Sequence, residues 1–407
     1  MPAALRVFVL FALGYFVSYV YRGVNLGFAP YLTHEMGLSG ADLGLLTSLY
    51  FLGFASAQLP VGILLDRFGS RRVTAILILI AAAGSAIFGM AHGKTGLMIG
   101  RLLIGVGLSA CLGAAFKALA QWYEVKRLPL VNGLTMAVGG LGGVAMGSPL
   151  LWLLSKTDWR SVCLGLSVFS VAVALAIWFA VPSSKEVSTR TEFRTQLAGT
   201  WQVLRSGVFW RIAAFSSLTQ AVFYTMQSLW VAPWLRDVNG LSAQDAGRVI
   251  SILGVAMVVG SVGFGFLARS LEHRGVSVRT FSGLGMLVFV LIQALIMLQI
   301  PVPAWVLWTG YGLFGGCGIL SYAVLVEHFP LNLIGRVNTS LTLVIFVLIF
   351  FGQVAVGAVL DFWPVVNGHY PPVAHLTAWG ILLALQLLAA IWYFAPKPKV
   401  ISLHIYG

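Results

Sequence analysis

Apolar residues along this chain gather into long runs separated by short polar and charged segments. A helix needs about 20 apolar residues to cross about 30 Å of hydrocarbon. Twelve runs meet that length, at about 6–32, 40–65, 72–91, 96–123, 129–154, 160–181, 208–236, 243–269, 279–299, 303–326, 337–361 and 374–395. They predict an all-α membrane protein of twelve transmembrane helices with both termini on one side. The first run lacks the short h-region and small-residue cleavage site of a signal peptide and reads as the first span. The longest polar gap, 182–207, is charged and central. It divides the chain into an N-terminal six-helix bundle (1–181), a linker (182–207), a second bundle (208–396) and a tail (397–407).

The halves repeat one another. Residues 29–32 read Ala-Pro-Tyr-Leu and residues 232–235 read Ala-Pro-Trp-Leu, a shift of 203. At the same shift GLSGADLG (37–44) answers GLSAQDAG (240–247), Gly62 answers Gly265 and Arg71 answers Arg274. Two pseudo-symmetric bundles of this kind enclose a central cavity at their interface and expose it alternately to each side.

Composition excludes the soluble classes. Of 407 residues 59% are hydrophobic and 9% charged, and the mean hydropathy is +0.93. Soluble domains carry about 45–50% apolar and about 25% charged residues. The net charge of +13 would suggest nucleic acid in a soluble chain. Here it sorts by side. With the N-terminus inside, 17 of the 25 Lys and Arg fall in cytoplasmic segments and 5 on the opposite side. The positive-inside rule then predicts cytoplasmic N- and C-termini. The partners expected are the lipid bilayer and a small molecule, not nucleic acid. Cys111, Cys163 and Cys317 each lie within an apolar run, which argues against a disulfide framework or a zinc site.

After the second run the chain reads Gly62-Ile-Leu-Leu-Asp66-Arg67-Phe-Gly69-Ser-Arg71-Arg72. This resembles the signature loop between helices 2 and 3 of the major facilitator superfamily, and the resemblance extends over the twelve runs, the two halves and the central loop. It implies a loop that latches one of two access states, with Asp66 pairing or capping neighbouring helix ends and Arg67, Arg71 and Arg72 bridging helices. Gly62 and Gly69 would allow close approach and a tight turn. Plain topology anchoring is the alternative role for these charges. The second copy carries Arg269 where the first has Asp66, so the latch is expected to be asymmetric.

An ionisable group near mid-bilayer costs about 2.5–3.5 kcal/mol or more and is a functional candidate by default. Arg22 lies about 24 Å along a helix from Arg6, too deep to snorkel, on a face with Tyr15, Tyr19 and Asn25. Arg101, early in the fourth run, resembles an arginine often found there in the superfamily; a bond to helix 1 or to backbone carbonyls is the competing role. Lys117 lies near the cytoplasmic end of the same run. All twelve acidic residues fall at run ends or in loops. A buried cation without a buried acid favours an anionic guest, and arginine offers a bidentate fork for carboxylate.

The segment from Arg22 to Leu32 is similar to the organic-anion branches of the superfamily, including the anion:cation symporters. The phosphate exchangers among them use a second arginine in helix 7, where this chain has Gln220, Tyr224 and Gln227. One central arginine suits a monocarboxylate better than a phosphate dianion. In the superfamily helices 1, 4, 7 and 10 line the cavity, so the substrate-binding candidates are Arg22, Tyr19, Asn25, Arg101, Gln220, Tyr224, Gln227 and Tyr311. Gln58, Asn338 and Gln353 could also line the cavity, but helix packing is their favoured role. No nucleophile triad, HExxH or Walker A sequence stands where chemistry would use it, so neither an enzyme nor an ATP-driven pump is expected, and no cofactor or metal is called for. The expectation is a monomeric secondary transporter of a small organic anion in a bacterial inner membrane, with a proton as a candidate coupling ion. Multidrug or metabolite efflux, a metal or siderophore carrier, and a non-transporting sensor on the same fold are the alternatives.

Overall fold

The computed structural model describes residues 2–182, 193–330 and 333–395. Nine helical runs among them are long and apolar enough to cross a membrane, and a tenth is a bent pair. The crossings are α1 (Ala3–Met36), α2 and α3 (together Gly40–Gly89), α4 (Lys94–Trp122), α5 (Leu128–Ala145 with Ser148–Leu154), α6 (Trp159–Ala180), α8 (Ala243–Glu272), α9 (Val278–Met297), α10 (Ala304–Val326), α11 (Ile334–Leu360) and α12 (Pro372–Phe394), with α7 completing the set. The 50-residue run Gly40–Gly89 is two helices that meet at Gly69, whose φ of 83° and ψ of 158° only glycine adopts without strain. α7 runs Gly207–Thr225, widens through an i→i+5 turn at Met226–Trp230, and resumes at Val231–Asp237. Twelve crossings result, as the hydropathy pattern predicts.

The repeated octapeptide has a local cause. Ser39 accepts the backbone N–H of Asp42, and the Asp42 carboxylate accepts the N–H of Ser39. Ser242 accepts the N–H of Asp245 in the same way. Each copy is therefore an N-cap that starts a helix, α2 in one half and α8 in the other.

Each half has its own aromatic core. In the first, Phe88 lies between Phe28 and Trp159, with ring centroids 6.4 and 5.8 Å away. In the second, Trp379 meets Trp234 at 4.7 Å and Trp308 at 5.7 Å, and its indole N–H donates to Gln293. Gln293 and Gln386 exchange amide hydrogen bonds of 3.1 Å beside it, so the polar atoms buried there are paired. Large apolar side chains such as Val168, Phe179, Phe266, Leu388 and Ile391 stand exposed on the outside of the bundle. In water they would form a costly patch; against lipid tails they are at home.

The halves meet along two seams, α2 against α11 and α5 against α8. Gly40 and Gly357 touch backbone to backbone on the first, where a Cβ at Gly357 would collide with the Gly40 carbonyl. On the second, the backbone N–H of Ser148 donates to Ser251 Oγ at 2.9 Å. Within the linker, helix Phe193–Leu204 packs on α11. The remainder of the central polar gap from 183 to 192, and the tail expected at 397–407, lie outside the described residues.

Candidate functional site

Arg22 sits one residue before Gly23, where α1 passes from Ala3–Gly23 into Asn25–Met36. Its residue is 7% exposed. The guanidinium carbon lies 4.6 Å from the Tyr19 ring centroid, 5.2 Å from Tyr224, 5.7 Å from Phe346 and 6.0 Å from Phe54. Tyr19 and Phe54 come from the first half, Tyr224 and Phe346 from the second. Among the described residues no carboxylate pairs with it: every ion pair involves other groups, and Arg22 Nε is buried without a hydrogen-bond partner. Ring faces attract a cation, by up to about 2 kcal/mol each when desolvated. They do not satisfy its five N–H donors. The site thus holds a cation in place and leaves its hydrogen-bonding capacity open to an oxyanion.

Arg22 borders two spaces. A cavity of about 540 Å³ extends between the halves toward Gly62 and Leu65. That is the end carrying the N-terminus, since Tyr123 at the same end of α4 donates to the Ala4 carbonyl. Among the described residues lining it, Arg22 is the one charged side chain. On the far side of Arg22 lies a cleft of about 20 Å³, bordered by Tyr19, Gln227 and Ser228, which has room for about one water molecule. Beyond it the bundle is shut.

The closure has three parts. Phe54 and Phe346 stack at 4.3 Å and 6°. Ser148 bonds Ser251. At the outermost layer, Asp361 past the end of α11 accepts the N–H groups of Gly40 (2.9 Å) and Ala41 (2.8 Å) and the Tyr370 hydroxyl (2.6 Å). A carboxylate here meets the positive end of α2. Burial pushes the Asp361 carboxyl up, but the Tyr370 hydroxyl and the backbone N–H donors prevail and hold it below the usual range. Beside it Asp237 accepts from His369 (2.7 Å) and His375 (2.9 Å).

The sequence candidates divide. Tyr19 and Tyr224 join Arg22, Gln220 borders the large cavity, and Gln227 borders the small cleft with its Nε2 3.2 Å from Met257 Sδ. Asn25, Arg101 and Tyr311 line neither space. Asn25 donates to Thr47 Oγ1 at 3.0 Å and ties α1 to α2. Arg101 is fully buried, donates to the Tyr21 carbonyl at 2.9 Å and lies 5.4 Å from the Tyr50 ring. It steadies the residue preceding Arg22. Tyr311 stacks on Phe223 at 5.5 Å and donates to the Val222 carbonyl. Their positions on cavity-lining helices were legible; the rotation that turns each toward a neighbouring backbone was not.

The motif residues make their contacts inside the first half. Asp66 pairs with Lys117 of α4 at 3.0 Å, which ties the motif loop to that helix. Arg71 donates to the Val181 carbonyl at 3.0 Å and joins α3 to the end of α6. Arg67 lies over Phe68 at 5.1 Å, Arg72 is exposed, and Gly62 lines the cavity. Gln353 donates to the Thr225 carbonyl and Ser228 Oγ, a packing contact between α11 and α7. Phe54 and Phe346 escape sequence reasoning, because an apolar ring within an apolar run carries no signal of the half it will face, and Asp361 stood out only as one of the acids at a run end.

The chain is 24% identical to a probable sulfoacetate transporter of Cupriavidus necator over 66% of each chain. It is 21% identical to a hexuronate transporter of Bacillus subtilis over 62% of this chain and 61% of that one. The chain spans about two thirds or less of the length of the curated relatives it matches. In three dimensions it superposes on a bacterial homologue of the human lysosomal transporter Spinster, crystallised in an inward-facing, unoccupied conformation, with a TM-score of 0.78, 18% identity and 97% of both chains covered. Residues 11–353 match the description of the Major Facilitator Superfamily, and the chain belongs to that superfamily.

Proposed function

We propose that this protein is a secondary transporter that moves a small organic anion, a monocarboxylate, by alternating access. One observation carries the reading: a guanidinium held by rings of both halves, at the boundary between an open cavity and a closed one, with no acidic partner among the described residues. A carboxylate arriving at Arg22 gains a bidentate, charge-assisted contact where competing water is scarce. Because Tyr224 and Phe346 belong to the second half, neutralising the cation changes what each half meets at the seam, and the bundles 1–181 and 208–396 rock about the linker 182–207. Relatives named as a probable sulfoacetate transporter and a hexuronate transporter support an anionic cargo.

With cytoplasmic termini in a bacterial inner membrane, the open cavity faces the cytoplasm. The efflux reading gave Arg101 a larger part; its bond to the Tyr21 carbonyl favours a structural role instead. The test is uptake into proteoliposomes together with thermal stabilisation of the purified protein by organic acids. Arg22→Gln should lose both while still inserting. Stabilisation by neutral or cationic compounds alone would reject the anion reading.

A further inference from the structure

The cavity walls restrict the cargo beyond its charge. Most hydroxyl hydrogens bordering the space are already used within the protein. Ser109 donates to Val106, Thr339 to Gly335 and Thr342 to Asn338, each to a backbone carbonyl. Tyr322 shares a 2.8 Å bond with Thr342. Two amide side chains stand apart. Gln220 is 6% exposed, and its Nε2 is buried without a partner. Asn338 borders the same cavity, and its Oδ1 is likewise buried and unpartnered. An unpaired buried polar group costs about 1–3 kcal/mol, so two on residues that border one cavity point to a ligand.

The two amides lie on the mouth side of the cation. Gln220 is one helical turn from Tyr224 on α7, about 6 Å of rise, and Asn338 is eight residues from Phe346 on α11, about 12 Å. Between them and Arg22 the wall is mainly aromatic and aliphatic, with Phe54, Tyr224, Ile345 and Phe346, while Gln58, one turn from Phe54, gives its amide N–H to the Ser109 carbonyl at 3.4 Å.

Resting on the monocarboxylate reading, we propose that the cargo is an amphipathic monocarboxylate. Its carboxylate lies on Arg22, a flat apolar body lies against the ring faces, and one uncharged hydrogen-bonding group at the far end is read by Gln220 and Asn338. Sugar acids and diacids fit poorly. Each additional hydroxyl or carboxylate would be stripped of water with too few free partners to replace it. Selectivity then comes from the groups a wrong cargo leaves unpaired, which discriminates more strongly than apolar fit alone.

The experiment uses the full chain in proteoliposomes and in detergent. The probes are cinnamate, 4-hydroxycinnamate, galacturonate, tartrate and sulfoacetate, applied to the wild type and to Arg22→Gln, Asn338→Leu, Asn338→Asp and Gln220→Leu. The wild type should bind both cinnamates, preferring the hydroxylated one by roughly three- to tenfold, and the polar acids far more weakly. Asn338→Leu and Gln220→Leu should erase the preference yet keep cinnamate binding, which also reports that they fold. The near-isosteric Asn338→Asp should weaken every anion by adding a like charge to the path. Binding of sugar acids or diacids as tight as the cinnamates, lost in Arg22→Gln, would overturn this inference and leave the anion reading intact. Unchanged preference in both leucine variants would overturn the amide assignment. Failure of every anion would overturn both readings.

Discussion

The rings of Phe54 and Phe346, one from each half, stack 4.3 Å apart and within 6° of parallel. Each is also within about 6 Å of the Arg22 guanidinium. The stack forms the floor of the closed side and the roof of the open cavity, so the bundles cannot separate on the closed side without parting these rings. An aromatic pair contributes about 0.5–1.5 kcal/mol beyond its buried area. Phe54→Ala should therefore move the equilibrium toward the opposite access state by up to roughly tenfold. Distances between spin labels at the outer ends of α2 and α11 would show a larger separated population; an unchanged distribution would remove the stack from the gate.

Arg22→Gln should separate stability from function. Removing a buried cation that has no acidic partner among the described residues relieves desolvation. The apparent melting temperature should stay level or rise while stabilisation by carboxylates disappears. Arg22→Lys keeps the charge but loses the planar fork, and should recover only a minor part of the affinity. A fall in melting temperature of Arg22→Gln matching the loss of a structural contact would place the residue in the scaffold instead.

The Asp361 clasp predicts a pH dependence with a definite sign. Its carboxyl is held below the ordinary range while it bonds Gly40, Ala41 and Tyr370, and returns to about 4 once the clasp opens. The clasp's contribution is complete above that ordinary value and fades as pH falls through the depressed one. Accessibility of a cysteine placed at the outer end of α2 should rise on acidification in the wild type. In Asp361→Asn it should be high at all pH values and flat, a pattern that any other titrating group would fail to produce.

The Asp66–Lys117 pair is partly exposed, with side chains 34% and 29% accessible. Such pairs add about 1 kcal/mol at most. Asp66→Asn should change thermal stability little and slow transport more, because it removes a loop carboxylate that the proposed access states draw on. A large stability loss without a change in rate would mark the pair as scaffold.

The membrane class, the twelve crossings and the doubled architecture were legible because the bilayer demands long apolar helices and the repeat kept its spacing. The repeated octapeptides were legible for a local reason, since Ser39 with Asp42 and Ser242 with Asp245 start helices by contacts three residues apart. Arg22 stood out because charge in hydrocarbon is costly wherever it occurs. Asn25, Arg101 and Tyr311 were plausible by the same logic, yet their side chains turn to Thr47, Tyr21 and Val222 within their own half. For Asn338 the less favoured role held: it borders the cavity, with its Oδ1 buried and unpartnered.

What the chain determines by itself is its partition between lipid and water and the places where helices begin, because those depend on neighbours along the sequence and on the solvent. Which side chains face the seam, which access state is closed and which cations keep their donors open depend on helix rotation and on pairs such as Gly40 and Asp361, 321 residues apart. Such pairs meet only when the two halves come together, and no local pattern encodes that meeting.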